Sequence, residues 1–161
     1  MSSATAAPTD ADAAFVAAIR RIAEEVAGPH AVAVDRDARF PVETLAALRE
    51  QRALSAFVPV EFGGDGVSFA ALAQACFELG RRCSASAMVF AMHQIQVVTL
   101  VRHAEPGDWH EGYLRDLARE QRLIASVTSE VGTGGDMSRS IAAVTSIGAG
   151  RSSMEKQAPT V

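Results

Sequence analysis

The chain has 161 residues, of which 48% are hydrophobic and 21% charged, and its formal net charge is −4 at pH 7. These values are typical of a folded protein of about one domain and exclude an extended disordered chain. The negative charge gives no electrostatic support for nucleic acid or an anionic membrane as a partner.

Residues 1–10 are mostly small and polar, and we expect them to form a flexible tail rather than a signal or transit peptide. Cys76 and Cys83 lie seven residues apart in a helical pattern, which favours two buried, reduced thiols over a disulfide. The sequence has no cysteine and histidine cluster at metal-ligand spacing, so no metal site is predicted. Reducing, intracellular surroundings are therefore the default expectation, and a cytoplasmic location is predicted.

Capping residues and apolar stripes predict the first helices. Asp10 is the expected N-cap of a helix with apolar positions 15, 19, 22 and 26, and Gly28-Pro29 is expected to interrupt it. Pro41 suits the first position of the next helix, which is expected to end near residues 52–54.

A glycine-rich loop is predicted over residues 55–68, where positions 63, 64 and 66 are glycine. Glycine permits backbone angles that other residues resist, so this segment should turn tightly. Ser68 is the expected N-cap of a helix that ends near Gly80, and Asp108 is the expected N-cap of the last helix before residue 122.

The segment from residue 84 to residue 101 is apolar nearly all round, but it is too short and too polar to span a bilayer comfortably. Such a helix is expected to be buried on most of its faces and to form the spine of a helical bundle.

After residue 122 the pattern changes from helical to β-like. Strands are predicted over residues 123–129, 142–147 and 151–156, with a glycine turn at 148–150 that makes the last two a hairpin. The predicted fold class is therefore α+β: an N-terminal all-α helical bundle over residues 11–122, followed by the first strands of an incomplete β domain over residues 123–161. A hairpin and one strand leave open edges, so we expect this β domain to be truncated at residue 161.

Three segments in this order resemble the acyl-CoA dehydrogenase family. They are the loop Phe-Val-Pro-Val-Glu-Phe-Gly-Gly-Asp-Gly-Val-Ser at 57–68, the helix pair Phe-Glu-Leu-Gly-Arg-Arg-Cys-Ser-Ala-Ser-Ala at 77–87 with His93 beyond it, and Ser-Glu-Val-Gly-Thr-Gly-Gly-Asp at 129–136. The third is similar to the family's Thr-Glu-Pro-x-Ala-Gly-Ser-Asp segment. Together, at the family's spacing, they indicate a resemblance that extends across nearly all of the chain.

The resemblance implies a flavoenzyme that uses FAD to oxidise the CH–CH group of an acyl-CoA-like thioester. In the family the segment that corresponds to residues 126–135 runs along the flavin and the thioester arm, which implies cofactor binding by Ser126, Val127, Thr128, Ser129, Gly134 and Gly135. The catalytic base comes from the family's C-terminal part, so no catalytic residue is assigned here, and this chain alone is expected to be inactive. The family also implies a homo-oligomer, commonly a tetramer, and an electron-transfer flavoprotein as partner.

The same resemblance implies that the long apolar helix faces the substrate cavity, with Met88, Ala91, Met92, His93 and Ile95 in contact with substrate. Plain core packing is the alternative for the apolar residues. For His93 the alternative is a buried ring that packs and hydrogen-bonds locally.

Two departures from the family pattern leave other functions open. Val131 replaces the usual proline, and Gly135 replaces the usual serine, which removes a hydroxyl from a ligand-facing position. Gly135 and His93 motivate a flavin-dependent monooxygenase of the same fold. The end of the chain at residue 161 motivates a non-catalytic helical module.

Overall fold

The structure is a computed structural model that describes residues 9–126, 143–146 and 152–155. The chain divides into two compact units between residues 125 and 126. In the first unit the helices are α1 (Asp10–Ile22), α2 (Gly28–Arg36), α3 (Val42–Glu50), α4 (Phe69–Gly80), α5 (Ser84–His103) and α6 (Trp109–Glu120). Two short 3₁₀ turns, Ala53–Ser55 and Val60–Phe62, lie between α3 and α4. The predicted helical domain is confirmed.

Gly28-Pro29 does not interrupt the first helix, and this prediction is wrong. A π-helical segment, Ala23–Ala27, joins α1 to α2, and the Gly28 N–H donates to the carbonyl of Ala23, five residues back. Proline has no N–H to donate and its ring crowds the preceding turn. The wider π turn lies directly before Gly28-Pro29, so the helix continues through the proline.

The first helix is capped by Thr9, not by Asp10. Thr9 Oγ1 accepts from the Asp12 N–H at 3.1 Å, and Asp12 Oδ2 accepts from the Thr9 N–H at 3.2 Å, which completes a capping box. Thr9 and Asp10 therefore belong to the helix start rather than to a tail, and residues 1–8 lie outside the described residues. The caps predicted at Ser68 and Asp108 are confirmed, because each side chain accepts from the N–H three residues on.

The buried apolar side chains form two groups. The first core cluster draws on α1 to α5 and includes Ile19, Leu48, Leu54, Leu79 and Phe90. The second core cluster lies between α5, α6 and the glycine loop and consists of Val58, Val97, Leu114, Leu117 and Ala118. Helix α5 contributes to both clusters, so it does connect the parts of the domain as the sequence predicted.

The expectation that α5 is buried on most faces is wrong. Its buried residues lie along one face: Ser86, Phe90, His93, Gln94 and Val97. By length and composition α5 would be able to cross a bilayer, yet three of these buried residues are polar and hydrogen-bond to other parts of the helical domain. On the opposite side Met88 and Ile95 are exposed, and Ala91 and Met92 are half-buried.

In the second unit the structure describes two strands, β1 (Ala143–Ser146) and β2 (Ser152–Glu155). They pair antiparallel, with Ala143 opposite Glu155 and Ser146 opposite Ser152, inside the ranges predicted for a hairpin. Residues 122–126 are neither helix nor strand, and the rest of the strand predicted over 123–129 lies outside the described residues. That the hairpin opens a β domain stays a prediction.

Candidate functional site

The residues predicted to bind the flavin fall almost entirely outside the described part of the chain. Ser126 is described and half-buried. Val127, Thr128, Ser129, Gly134 and Gly135 lie outside the described residues. Their assignment to FAD therefore stays a prediction.

The predicted substrate residues of α5 separate into two groups. Met88, Ala91, Met92 and Ile95 follow helical spacing and share one side, which we call the outward face of α5. Met88 is 62% exposed and Ile95 is 53% exposed, while the two residues between them are half-buried. His93 lies on the other side of the helix and is fully buried.

Both ring nitrogens of His93 are hydrogen-bonded to backbone groups. Nε2 lies 2.8 Å from the carbonyl oxygen of Leu54, and Nδ1 lies 3.1 Å from the backbone nitrogen of Ile124. The histidine thus has the local hydrogen-bonding role that one of its two sequence interpretations predicts. Burial lowers the pKa of the ring, and the hydrogen bond to Leu54 opposes this only in part.

The turn at Ala53–Ser55 is held by buried side chains from two helices. Gln94 Nε2 donates to the carbonyl of Ala53 at 3.0 Å. Gln121, at the end of α6, accepts from the Leu54 N–H at 3.2 Å and donates to Ser55 Oγ at 2.8 Å. Because the turn has no long helix or sheet to satisfy its backbone, these amides stabilise it.

Sequence reasoning missed the role of Gln94 and Gln121. A glutamine inside a helix or at its end is usually exposed, so neither residue type stands out in the sequence. The available signal for Gln94 was its place in an otherwise apolar segment. The Oε1 atom of Gln94 is buried and has no hydrogen-bond partner among the described residues.

The glycine loop packs tightly on itself. Gly63 and Gly66 have positive φ values of 89° and 61°, which explains glycine at both positions. Gly64 is required for a different reason, because a Cβ there would overlap the Val58 carbonyl oxygen and lie 2.6 Å from that of Ser55. The loop thus brings Val58 into the second core cluster.

An open groove of about 640 Å³ lies between α2 and the start of α5. Its charged lining residues are Asp35, Arg39 and Arg82. Arg39 is paired with Glu43 at 2.9 Å, and Arg82 with Glu24 at 3.1 Å. The four residues of the outward face of α5 are not among the residues that line this groove.

Cys76 and Cys83 are free thiols, as predicted. Cys83 is buried as predicted, whereas Cys76 is only half-buried. Burial raises the pKa of the Cys76 thiol. Within the described residues, no three histidine, cysteine or carboxylate side chains are grouped to hold a metal ion.

Comparisons with known proteins agree with this architecture. The family described as "Acyl-CoA dehydrogenase, N-terminal domain" matches residues 9–121. The 3-sulfinopropanoyl-CoA desulfinase of Paraburkholderia xenovorans (strain LB400) is 38% identical over 81 residues, which is 50% of this chain and 21% of that protein. The probable acyl-CoA dehydrogenase fadE25 of Mycobacterium leprae (strain TN) is 32% identical over 120 residues, 74% of this chain and 31% of that protein.

The name of a third relative describes a different chemistry. The probable FMNH2-dependent monooxygenase SfnC of Pseudomonas putida is 35% identical over 103 residues, 62% of this chain and 26% of that protein. The chain spans about a fifth to a third of the length of these three relatives. The resemblance drawn from the sequence motifs is confirmed: this chain belongs to the acyl-CoA dehydrogenase family and contains its N-terminal helical domain.

Proposed function

We propose that this chain supplies the N-terminal part of a flavin-dependent oxidoreductase that acts on the CH–CH group of an acyl thioester. The observation that supports this most is the outward face of α5. Met88 and Ile95 are more than half exposed on a helix whose opposite face is fully packed. A row of apolar side chains with exposed members suits an apolar ligand, and an acyl chain is such a ligand.

FAD is the proposed cofactor. When bound it supplies the electron acceptor that takes a hydride from the substrate. Ser126 to Gly135 would hold it in this proposal, and the Ser126 hydroxyl is chemically suited to hydrogen-bond a flavin carbonyl. The described residues of this chain are assigned to shaping the acyl site, and none is assigned as the base that removes the α-proton.

A monooxygenase of the same fold is the second candidate. The relative named as an FMNH2-dependent monooxygenase favours it. His93 gives the monooxygenase candidate little support, because both ring nitrogens are hydrogen-bonded to backbone groups and the ring is fully buried. A non-catalytic module is the third candidate. A homo-tetramer, an electron-transfer flavoprotein partner and a cytoplasmic location stay predictions.

The test uses the full-length natural polypeptide that includes this chain. We expect it to purify with a flavin absorption spectrum and to reduce that flavin when an acyl-CoA is added without oxygen. A colourless protein that binds no added FAD would support the non-catalytic module. Oxygen-dependent consumption of externally reduced flavin, without reduction by acyl-CoA, would support the monooxygenase.

Paired variants then test the acyl site. Met88→Gln and Ile95→Gln should each raise KM for a medium-chain acyl-CoA about tenfold, because they place a polar amide against the acyl chain. Val32→Gln is the control, since Val32 is 75% exposed on α2 and lines a groove that none of the four outward-face residues lines. Equal KM values for all three variants and the parent would show that the outward face of α5 does not contact the acyl chain.

A further inference from the structure

We propose that His93 is a positioning residue that fixes where the chain leaves the helical domain. Its ring lies between two backbone segments: the Ala53–Ser55 turn, through Leu54, and the segment after α6, through Ile124. The ring is fully buried, so water does not compete for either hydrogen bond. We call this pair of hydrogen bonds the His93 clamp.

The two partners determine the protonation state of the ring. The Ile124 N–H is a donor only, so Nδ1 must be an unprotonated acceptor. The Leu54 carbonyl is an acceptor only, so Nε2 must carry the proton and donate it. His93 is therefore a neutral imidazole of the Nε2–H form, and both of its nitrogens are engaged.

Other contacts hold the same stretch of chain. Leu123 packs against the first core cluster and Ile124 against the second. Just before them, the Gln121 carbonyl accepts from Arg49 Nε at 3.3 Å, and the Arg122 N–H donates to the carbonyl of Leu117 at 3.3 Å. The His93 clamp adds a hydrogen bond two residues further on, at Ile124, and it ties this segment to α5.

The predicted flavin segment begins at Ser126, two residues after Ile124. The clamp therefore sets the point from which that segment starts. This functional consequence rests on the proposed function, whereas the clamp itself does not require a flavin. His93 acts here through the backbone it holds and not by contact with a substrate.

Two conservative variants separate the two hydrogen bonds. In His93→Gln the side-chain amide nitrogen reaches the position of Nε2, so the bond to Leu54 is kept and the acceptor for Ile124 is lost. In His93→Asn the amide oxygen takes the position of Nδ1, so the acceptor for Ile124 is kept and the donor to Leu54 is lost. The two variants have matched chemistry and opposite effects on the clamp.

Amide hydrogen exchange of the purified chain, with no flavin added, is the measurement. The exchange rate of the Ile124 amide is divided by that of Leu114, which is fully buried in α6 and reports general opening of the domain. We expect this ratio to rise about tenfold in His93→Gln and to stay within about threefold of the parent in His93→Asn. Nitrogen-15 shifts of the parent ring should show a proton on Nε2 alone.

An unchanged Ile124 ratio in His93→Gln, or a ring that carries its proton on Nδ1, would overturn the proposal. Because the measurement uses no flavin or substrate, its result tests the His93 clamp independently of the flavoenzyme assignment. Failure of FAD to bind the natural-length protein would count against the proposed function and leave the clamp in place.

Discussion

The carboxylate of Asp12, near the start of α1, accepts a hydrogen bond of 2.8 Å from the backbone N–H of Ser68, the N-cap of α4. The two residues are 56 positions apart in the chain. Asp12 also belongs to the capping box with Thr9, so one buried carboxylate stabilises the start of two helices. The hydrogen bond from Ser68 is the main cause that lowers the pKa of Asp12.

Asp12→Ala should lower the free energy of unfolding by about 1.5–3 kcal/mol, because it removes hydrogen bonds to a charged acceptor at two helix starts. Asp10→Ala is the matched control: Asp10 lies in the same first turn but is exposed, so its loss should cost about 0.5 kcal/mol or less. Urea denaturation of both variants measures the difference. Equal losses would mean that Asp12 acts only through the helix dipole.

Protonation of Asp12 at low pH should weaken the same hydrogen bonds. The pKa of Asp12 in the folded chain is below its usual value of 3.8, so its stabilising effect is full above that value and is lost as the pH falls through the lowered pKa. The parent should therefore lose stability more steeply than Asp12→Asn as the pH falls below about 4. Parallel slopes for the two proteins between pH 4 and pH 2 would contradict the pKa shift.

Gly64→Ala should destabilise the domain by at least about 2 kcal/mol, since the new Cβ would overlap backbone atoms of the glycine loop. Gly112→Ala is the control, because Gly112 lies within α6 with no atom near the position of a Cβ. There alanine should raise stability by about 0.5–1 kcal/mol through its higher helix propensity. Thermal unfolding followed by circular dichroism would detect the opposite signs. A tolerated alanine at 64 would show that the loop can open.

The two sides of α5 should respond differently to truncation. Val97→Ala should cost about 2 kcal/mol, because Val97 is fully buried in the second core cluster. Ile95→Ala, on the outward face, should change stability by about 0.5 kcal/mol or less. Chemical denaturation of the two variants makes the comparison. A large loss at Ile95 would mean that the outward face is covered in solution.

His93 should make stability depend on pH near neutrality. Burial lowers the pKa of the folded ring below the usual 6.5, so the unfolded chain binds a proton more readily and stability falls as the pH drops from about 6.5. His93→Asn cannot titrate in this range, so its stability should change less between pH 7.5 and pH 5 than that of the parent. His30, His103 and His110 are present in both proteins, and the difference therefore isolates His93.

The sequence predicted the features that depend on near neighbours. The caps at Ser68 and Asp108 depend on a side chain and an N–H three residues away, and Gly63 and Gly66 on a local backbone angle. Its errors also have local explanations. A proline usually ends a helix, but here a π-helical segment before Pro29 lets the helix continue.

The position of His93 was partly available from the sequence. At about 100° per residue, it lies about 140° around the helix from Met88, whereas Ala91, Met92 and Ile95 lie within about 60° of Met88. Spacing alone therefore separates His93 from the other predicted substrate residues. It does not say which side is buried, because the helix is apolar nearly all round.

The sequence by itself determined that this chain contains a helical domain of the acyl-CoA dehydrogenase family, because helix periodicity, caps and loop motifs are all encoded within short stretches. Only the tertiary structure decided that one face of α5 is buried, that His93 holds Leu54 and Ile124, and that Asp12 reaches Ser68. These contacts join residues 31 to 56 positions apart. No local pattern specifies such pairs, since they form only when packing of the core brings distant backbone groups within hydrogen-bond distance.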